Sequence, residues 1–198
     1  MKIFLNDRLI CLYREKPSRN DYHSVSTKQE VSLLYHAFEA DPEQKKLGLF
    51  SADYEKLKED FQQLFHLVLA AGGVVKNEKN EILFIYRRGH WDFPKGKLNI
   101  INNVLEGRQK AAIREVMEET GIERIDIVGK AGKTHHIFFE KGERYLKTTF
   151  WFEMRAPKNQ PLTPQTEEDI TEVRWFLPDE LDKVRGLLYP SLMKLIDL

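Results

Sequence analysis

Glu115, Glu118 and Glu119 stand where an α-helix would turn all three carboxylates onto one face, within an arc of roughly 100°. The helix itself is legible in residues 106–122, where strong helix formers run through the segment and Gly121 stops it. Ala112, Ile113, Val116, Met117 and Thr120 take the opposite side, and only the small Ala111 sits among the carboxylates, leaving room for a ligand. Like charges at i,i+4 repel, and carboxylates in a last turn face the negative end of the helix dipole. Something positive should therefore compensate. Arg114 pairs with Glu118 at i,i+4, but one cation against three anions leaves net negative charge for Mg²⁺ or Mn²⁺, hard ions that take oxygen ligands. The plain alternative is a solvated acidic face.

Ahead of this helix lies a cluster of cations, Arg87, Arg88, Lys95 and Lys97, in a segment anchored by Trp91, Phe93 and Pro94. Guanidinium and ammonium groups beside an acidic helix suit the phosphates of a substrate, and a solvated strand end is the alternative. Trp91 reads as a packing residue. His135-His136 opens a strand in which alternation sends only one ring inward, and it reads as structural. Glu167-Glu168-Asp169 is either a solvated acidic turn or a further source of carboxylate ligands.

These residues need elements to hold them. From His66 the pattern is of strands: 66–76 and 81–87 across a turn at 77–80, then 134–140 and 144–154 joined across Lys141-Gly142, and a short strand from Thr171 to Phe176. Pro178 opens a helix over 179–185, and an apolar helical segment closes the chain. Before His66, residues 1–5 and 8–13 read as a hairpin around Asn6-Asp7. Thr27-Lys28-Gln29-Glu30 is a capping box for a helix carrying Val31, Leu34, Tyr35 and Phe38, and a second amphipathic helix follows Ser51. We therefore expect two domains, a small α+β N-terminal domain over 1–65 with no catalytic signature and a second domain over 66–198.

Composition narrows the partners. The 198 residues carry 31 Lys plus Arg against 31 Asp plus Glu, so no global basic field draws the chain to DNA or to an anionic membrane. Cys11 is the single cysteine, which excludes an internal disulfide and points to a reducing compartment. The N-terminus meets charge too soon for a secretory signal and no apolar run approaches spanning length, so the cytoplasm is expected.

In order, Gly96, Glu106, Arg114-Glu115, Val116, Glu118-Glu119 and Gly121-Ile122 resemble the signature of the Nudix hydrolases, of which MutT-like enzymes are members. In that pattern a Gly is followed after five residues by Glu, and after seven more by Arg-Glu, an aliphatic residue, any residue, Glu-Glu, any residue, Gly and an aliphatic residue. The second half fits without exception. In the first half nine residues, Lys97 to Leu105, separate Gly96 from Glu106, and Leu105 stands where a turn glycine is usual. Surface loops absorb such insertions at little entropic cost.

The resemblance, over roughly residues 67–185, implies an α/β/α sandwich with a mixed sheet between helices. It implies that Glu115, Glu118 and Glu119 bind metal with a main-chain carbonyl near Gly96, that Arg114 orients a carboxylate and that Glu106 braces loop and helix. Some members place a further carboxylate in a loop like that of Glu168. The implied reaction is attack of water on a phosphoanhydride bridge of a nucleoside diphosphate linked to a second group. Phe93 to Lys97 and Tyr145 to Glu153 are loosely similar to the dinucleoside polyphosphate and diphosphoinositol branches. The expected activity is thus a Mg²⁺-dependent pyrophosphohydrolase acting on a phosphorylated small molecule, a nucleotide above all. The alternative is a nucleotide-sensing Nudix module that regulates a partner. The first 65 residues could cover the cleft, mediate a homodimer or add stability.

Overall fold

The computed structural model describes residues 1–196, so the end of the closing segment that the sequence leads us to expect as helical, residues 197–198, lies outside the described residues. The chain divides into two compact units, one formed by Met1–Val68 with His135–Thr148, the other by Leu69–Thr134 with the described residues from Thr149 onward. The first unit is discontinuous because Phe4 and Leu5 pair in parallel with His136 and Ile137.

In the first unit, β1 (Lys2–Leu5) and β2 (Arg8–Tyr13) form the antiparallel hairpin expected at Asn6-Asp7, with Asn6 at φ 55°. The chain then supplies β3 (His23–Ser24), α1 (Lys28–Ala40), β4 (Lys46–Phe50) and α2 (Tyr54–Gln62). Strand β4, which sequence alternation does not reveal because three successive residues are buried, runs parallel to β2. The capping box forms: Thr27 Oγ1 accepts the Glu30 N–H, and Glu30 accepts the N–H groups of Ser26 and Thr27. Helix α2 starts three residues after Ser51, with Asp53 as its cap. Val31, Tyr35 and Phe38 of α1 meet Leu57 and Phe61 of α2 in one apolar core, and Arg8 donates to the Phe38 and Asp41 carbonyls at 2.7 Å each, serving α1's unpaired C-terminal carbonyls.

The second unit is built on strands ordered β13-β6-β5-β12-β11, taking β5 from Leu69, β11 as far as Thr134 and β12 from Thr149. Strands β5 (His66–Lys76) and β6 (Ile82–Arg87) join through a turn in which Asn77 Oδ1 accepts the N–H groups of Lys79 and Glu81. At Arg88-Gly89, both at positive φ, the chain reverses into β7 (His90–Asp92) along β6, and β8 (Lys95–Lys97) then pairs with β5. The enlarged loop is a closed hairpin, β9 (Ile100–Ile101) and β10 (Val104–Leu105), turning on Asn102 and Asn103 at φ 51° and 62°. Helix α3 (Arg108–Thr120) follows, then β11 (Asp126–Glu140), β12 (Glu143–Arg155), β13 (Ile170–Phe176), α4 (Leu181–Arg185) and α5 (Met193–Ile196). Strand β11 starts at Asp126 rather than 134, an extension masked in the sequence by Gly129, Gly132 and the lysines at 130 and 133.

Period-two alternation makes this unit three layers thick. Leu83, Phe150 and Phe152 face Ala111, Ala112 and Val116 of α3, whereas Phe84 and Trp151 face Phe93, Leu181, Val184 and Leu195 on the other side. No helix among the described residues is long and apolar enough to cross a membrane.

Phe61 has no exposed surface and meets Tyr35 edge-on at 5.7 Å. Phe61→Ala is expected to cost about 3–5 kcal/mol. Far-UV circular dichroism during denaturation is the measurement, because Trp91, Trp151 and Trp175 all lie in the second unit. A cost below about 1 kcal/mol would show that this core is not packed as described.

Candidate active site

Helix α3 has no side-chain cap at Gly107 and closes at Gly121, φ 76°, whose N–H returns to the Met117 carbonyl. Its buried side is Ala111, Ala112, Val116, Glu119 and Thr120. Glu119 therefore lies on the packed side of the helix, whereas the spacing placed it with Glu115 and Glu118 opposite the apolar residues. The three carboxylates occupy different environments: the Glu119, Glu115 and Glu118 side chains are 2%, 13% and 48% exposed.

The segment 87–97 meets this helix with donors. The Lys95 N–H donates to Glu119 Oε2 at 2.8 Å, and Arg87 Nη1 stands 3.8 Å from Glu119 Oε1. Burial nevertheless pushes the Glu119 carboxyl up to about 7, against the pull of Lys95. Lys95 Nζ itself pairs with Asp92 at 2.8 Å, deep in the protein. Burial opposes its charge, but Asp92 and Glu119 outweigh burial and hold the ammonium above its ordinary range. Asp92 was not singled out by sequence reasoning. Its only signal is an Asp and a Lys three apart around Phe93-Pro94, and its other oxygen accepts the Phe93 N–H.

Gly96 is fixed by contact rather than by conformation. A Cβ there would lie 1.9 Å from Glu115 Oε2, so the glycine gives the carboxylate its place. Burial raises the pKa of Glu115, with the charges of Glu118 and Glu168 adding to it against Arg114.

Arg114 is the hub of the other side. It donates to Glu106 through Nε and Nη2 at 3.1 and 2.8 Å, to Glu115 and Glu118 at 2.8 Å each, and to the Lys97 carbonyl at 3.1 Å. Glu106, 6% exposed, also accepts the Asn99 N–H, and Arg114 holds its carboxyl below the usual range. Arg87 reaches Glu168 at 3.4 Å, while Arg88 turns to Asp169 at 2.7 Å and Lys97 is exposed. His135 bonds Thr148, and His136 lies against the Phe4 ring, all within the first unit.

Among the described residues no group of three or more His, Cys, Asp or Glu side chains converges closely enough to hold a metal ion as they stand. Arg114 separates Glu115 from Glu118, and the Lys95 N–H takes Glu119. The donor chemistry nevertheless fits a hard divalent cation. Three cations, Arg87, Lys95 and Arg114, serve six carboxylates, Asp92, Glu106, Glu115, Glu118, Glu119 and Glu168, and two of the carboxylates are pushed upward by burial.

Two outcomes follow. Gly96→Ala is expected to displace Glu115 and remove divalent-cation binding, read by calorimetry with Mn²⁺, while leaving tryptophan emission native. Normal Mn²⁺ binding in that variant would contradict the contact. For Glu119 the folded pKa of about 7 exceeds the ordinary carboxyl value of 4.5, so the proton is held more tightly in the folded state. Its contribution to stability is full below about 4.5 and is lost as pH rises through about 7. In EDTA, the melting temperature of the wild type should therefore fall over that window relative to Glu119→Gln, and parallel curves for the two proteins would refute it.

The NUDIX domain family model matches residues 66–196. The m7GpppN-mRNA hydrolase dcap-2 of Caenorhabditis elegans is 35% identical over 92 residues, which are 46% of this chain and 11% of that protein, so the chain spans only a small part of that curated relative. Among solved structures, a MutT protein from Methanosarcina mazei Go1 is similar at a TM-score of 0.49 and 21% identity, covering 67% of this chain and 92% of that one. A C. elegans Ap4A hydrolase binary complex is similar at 0.46 and 23%, covering 66% and 93%. With the family model extending over about two thirds of its length, and the Glu-rich helix inside that span, the chain belongs to the Nudix family.

Proposed function

We propose that the second unit is a Mg²⁺- or Mn²⁺-dependent hydrolase of a phosphoanhydride bond in a nucleoside diphosphate-X or dinucleoside polyphosphate-type substrate. The excess of carboxylates around α3, two of them buried against their own charge, carries the reading. The similarity to a protein named as an m7GpppN-mRNA hydrolase agrees with it. A cytoplasmic setting belongs to the same proposal and rests on the single, buried Cys11.

Glu115, Glu118 and Glu119 would hold the cation, with the Gly96 carbonyl and Glu168 as further oxygen donors. A divalent ion held there would supply Lewis-acid chemistry, offsetting charge on phosphoryl oxygens and favouring deprotonation of water. Arg114 keeps Glu115 and Glu118 in place, and Glu106 keeps Arg114 in place while tying it to the Asn99 N–H. Arg87, between Glu119 and Glu168, would meet a substrate phosphate, and exposed Lys97, at the other end of the segment 87–97, would add a second cation. Lys95 acts at one remove: its ammonium offsets Asp92 and Glu119, and its N–H orients the Glu119 carboxylate. Arg88, committed to Asp169, contributes to the loop that carries Glu168.

The test is a panel of nucleoside triphosphates, dinucleoside polyphosphates, sugar nucleotides and inositol pyrophosphates with Mg²⁺, read by product analysis. Glu118→Gln and Glu119→Gln are expected to lower turnover of the accepted compound by about two orders of magnitude or more, with native tryptophan emission. Normal turnover in both variants sinks the assignment. Ligand binding without product throughout the panel favours the sensing module instead.

A further inference from the structure

A groove of about 530 Å³ opens beside the start of α3, with Leu98, Leu105 and Phe152 for its apolar lining and Arg108, Lys110 and Lys130 among its charged residues. Two cations sit on one neighbouring ring: the Arg108 guanidinium carbon is 3.8 Å, and Lys133 Nζ 5.0 Å, from the centroid of Phe150. Arg108, Lys110, Lys130 and Lys133 are all exposed. Among the described residues none of the four lies in an ion pair with a carboxylate, in contrast to Arg87, Lys95 and Arg114, each of which is held by acids. A chain of zero net charge thus gathers exposed cations at one apolar groove whose lining carboxylate, Glu106, is bonded to Arg114.

That combination specifies an occupant. Guanidinium and ammonium groups outside carboxylate ion pairs suit several phosphate oxygens, and an apolar lining of Leu98, Leu105 and the Phe152 ring suits a planar base. The hairpin β9–β10 supplies a wall: Leu105 lines the groove and is 50% exposed, next to Val104 at 67%. This hairpin lies within the nine residues, Lys97 to Leu105, that separate Gly96 from Glu106. Glu106, the residue after Leu105, is bonded to Arg114, and Arg108 precedes Glu115 by two helical turns on the same stripe of α3, about 10 Å along the axis.

We infer that this groove is a subsite for a nucleoside polyphosphate, receiving the base against Leu98 and Leu105 and the phosphates on Arg108, Lys110, Lys130 and Lys133. Its place as part of the substrate site rests on the hydrolase reading above, whereas its binding of the ligand does not.

The experiment is calorimetry of the full chain in EDTA with ATP as probe, and with inorganic triphosphate as the probe lacking a base. The wild type binds ATP, and Arg108→Glu with Lys130→Glu weakens that binding at least tenfold. Leu105→Asp weakens ATP at least threefold and leaves inorganic triphosphate unchanged, and Arg174→Glu, at an exposed cation of β13, changes neither. Tryptophan emission checks the fold. If Arg108→Glu disturbs packing on Phe150, the pair Lys130→Glu with Lys133→Glu replaces it, with the same expected loss. Absence of ATP binding by the wild type, or unchanged binding in the charge-reversed variants, overturns the proposal. Equal effects of Leu105→Asp on both probes, or none on either, overturn the nucleoside assignment. Groove-dependent ATP binding in a protein that turns over nothing in the panel upholds the subsite and refutes the hydrolase reading. Metal-dependent turnover alongside unchanged ATP binding in the groove variants does the reverse.

Discussion

A carboxylate on the apolar side of a helix is the constraint around which the second unit is organised. Glu119 shares the buried face of α3 with Ala112 and Val116, and the displacement of its pKa from 4.5 to about 7 corresponds to about 3 kcal/mol against ionisation. The route of residues 87–97 answers that cost. Reversal at Arg88-Gly89 aligns β7 with β6, and the turn through Phe93-Pro94 lays β8 along β5. That path brings the Lys95 N–H, the Arg87 guanidinium and the Asp92–Lys95 pair to one carboxylate. Apolar residues on the same path, Trp91 and Phe93, pack against Phe84, Trp151 and Phe176, so hydrophobic burial fixes the position of the donors.

The exposed side of α3 is governed by a second balance. Arg114 gives donors to three carboxylates and to the Lys97 carbonyl, which ties the helix to both ends of the enlarged loop. The Asn99 N–H donates to Glu106 and the Glu106 N–H to the Asn99 carbonyl. With its base closed in this way, the hairpin adds length without moving Glu106 away from Arg114. This is the physical reason an insertion inside the signature leaves the helix and its acids in register.

How much was legible follows from range. Local rules were readable: the capping box at Thr27, the hairpin around Asn6-Asp7, the αL stop at Gly121 and the strands 66–76 and 171–176 each depend on neighbours in sequence. The signature residues were readable as a set, because their spacing is the spacing of one helix. The environment of each acid was not. Helical geometry groups Glu119 with Glu115 and Glu118 within about 100°, and only packing decides that the buried sector includes one edge of that arc. Lys95 groups in sequence with Arg87, Arg88 and Lys97, whereas its pairing with Asp92 depends on how β8 lies against β5. Strand β4 was hidden because it is buried throughout its centre and shows no alternation.

The distribution of cations completes the physical picture. An acidic helix that was merely solvated would turn its carboxylates to water and would not need Gly96 cleared of a Cβ for Glu115, nor a buried ammonium within reach of Glu119's charge. Here the inward acids outnumber the cations that serve them, while Arg108 and Lys110 at the start of the same helix, with Lys130 and Lys133 on β11, lie in no ion pair with a carboxylate among the described residues. Pairing those cations with the acids would have been the cheaper electrostatic arrangement. Keeping the two populations apart along α3 leaves one end rich in carboxylates and another rich in cations, the separation on which the proposed metal and phosphate sites both rest.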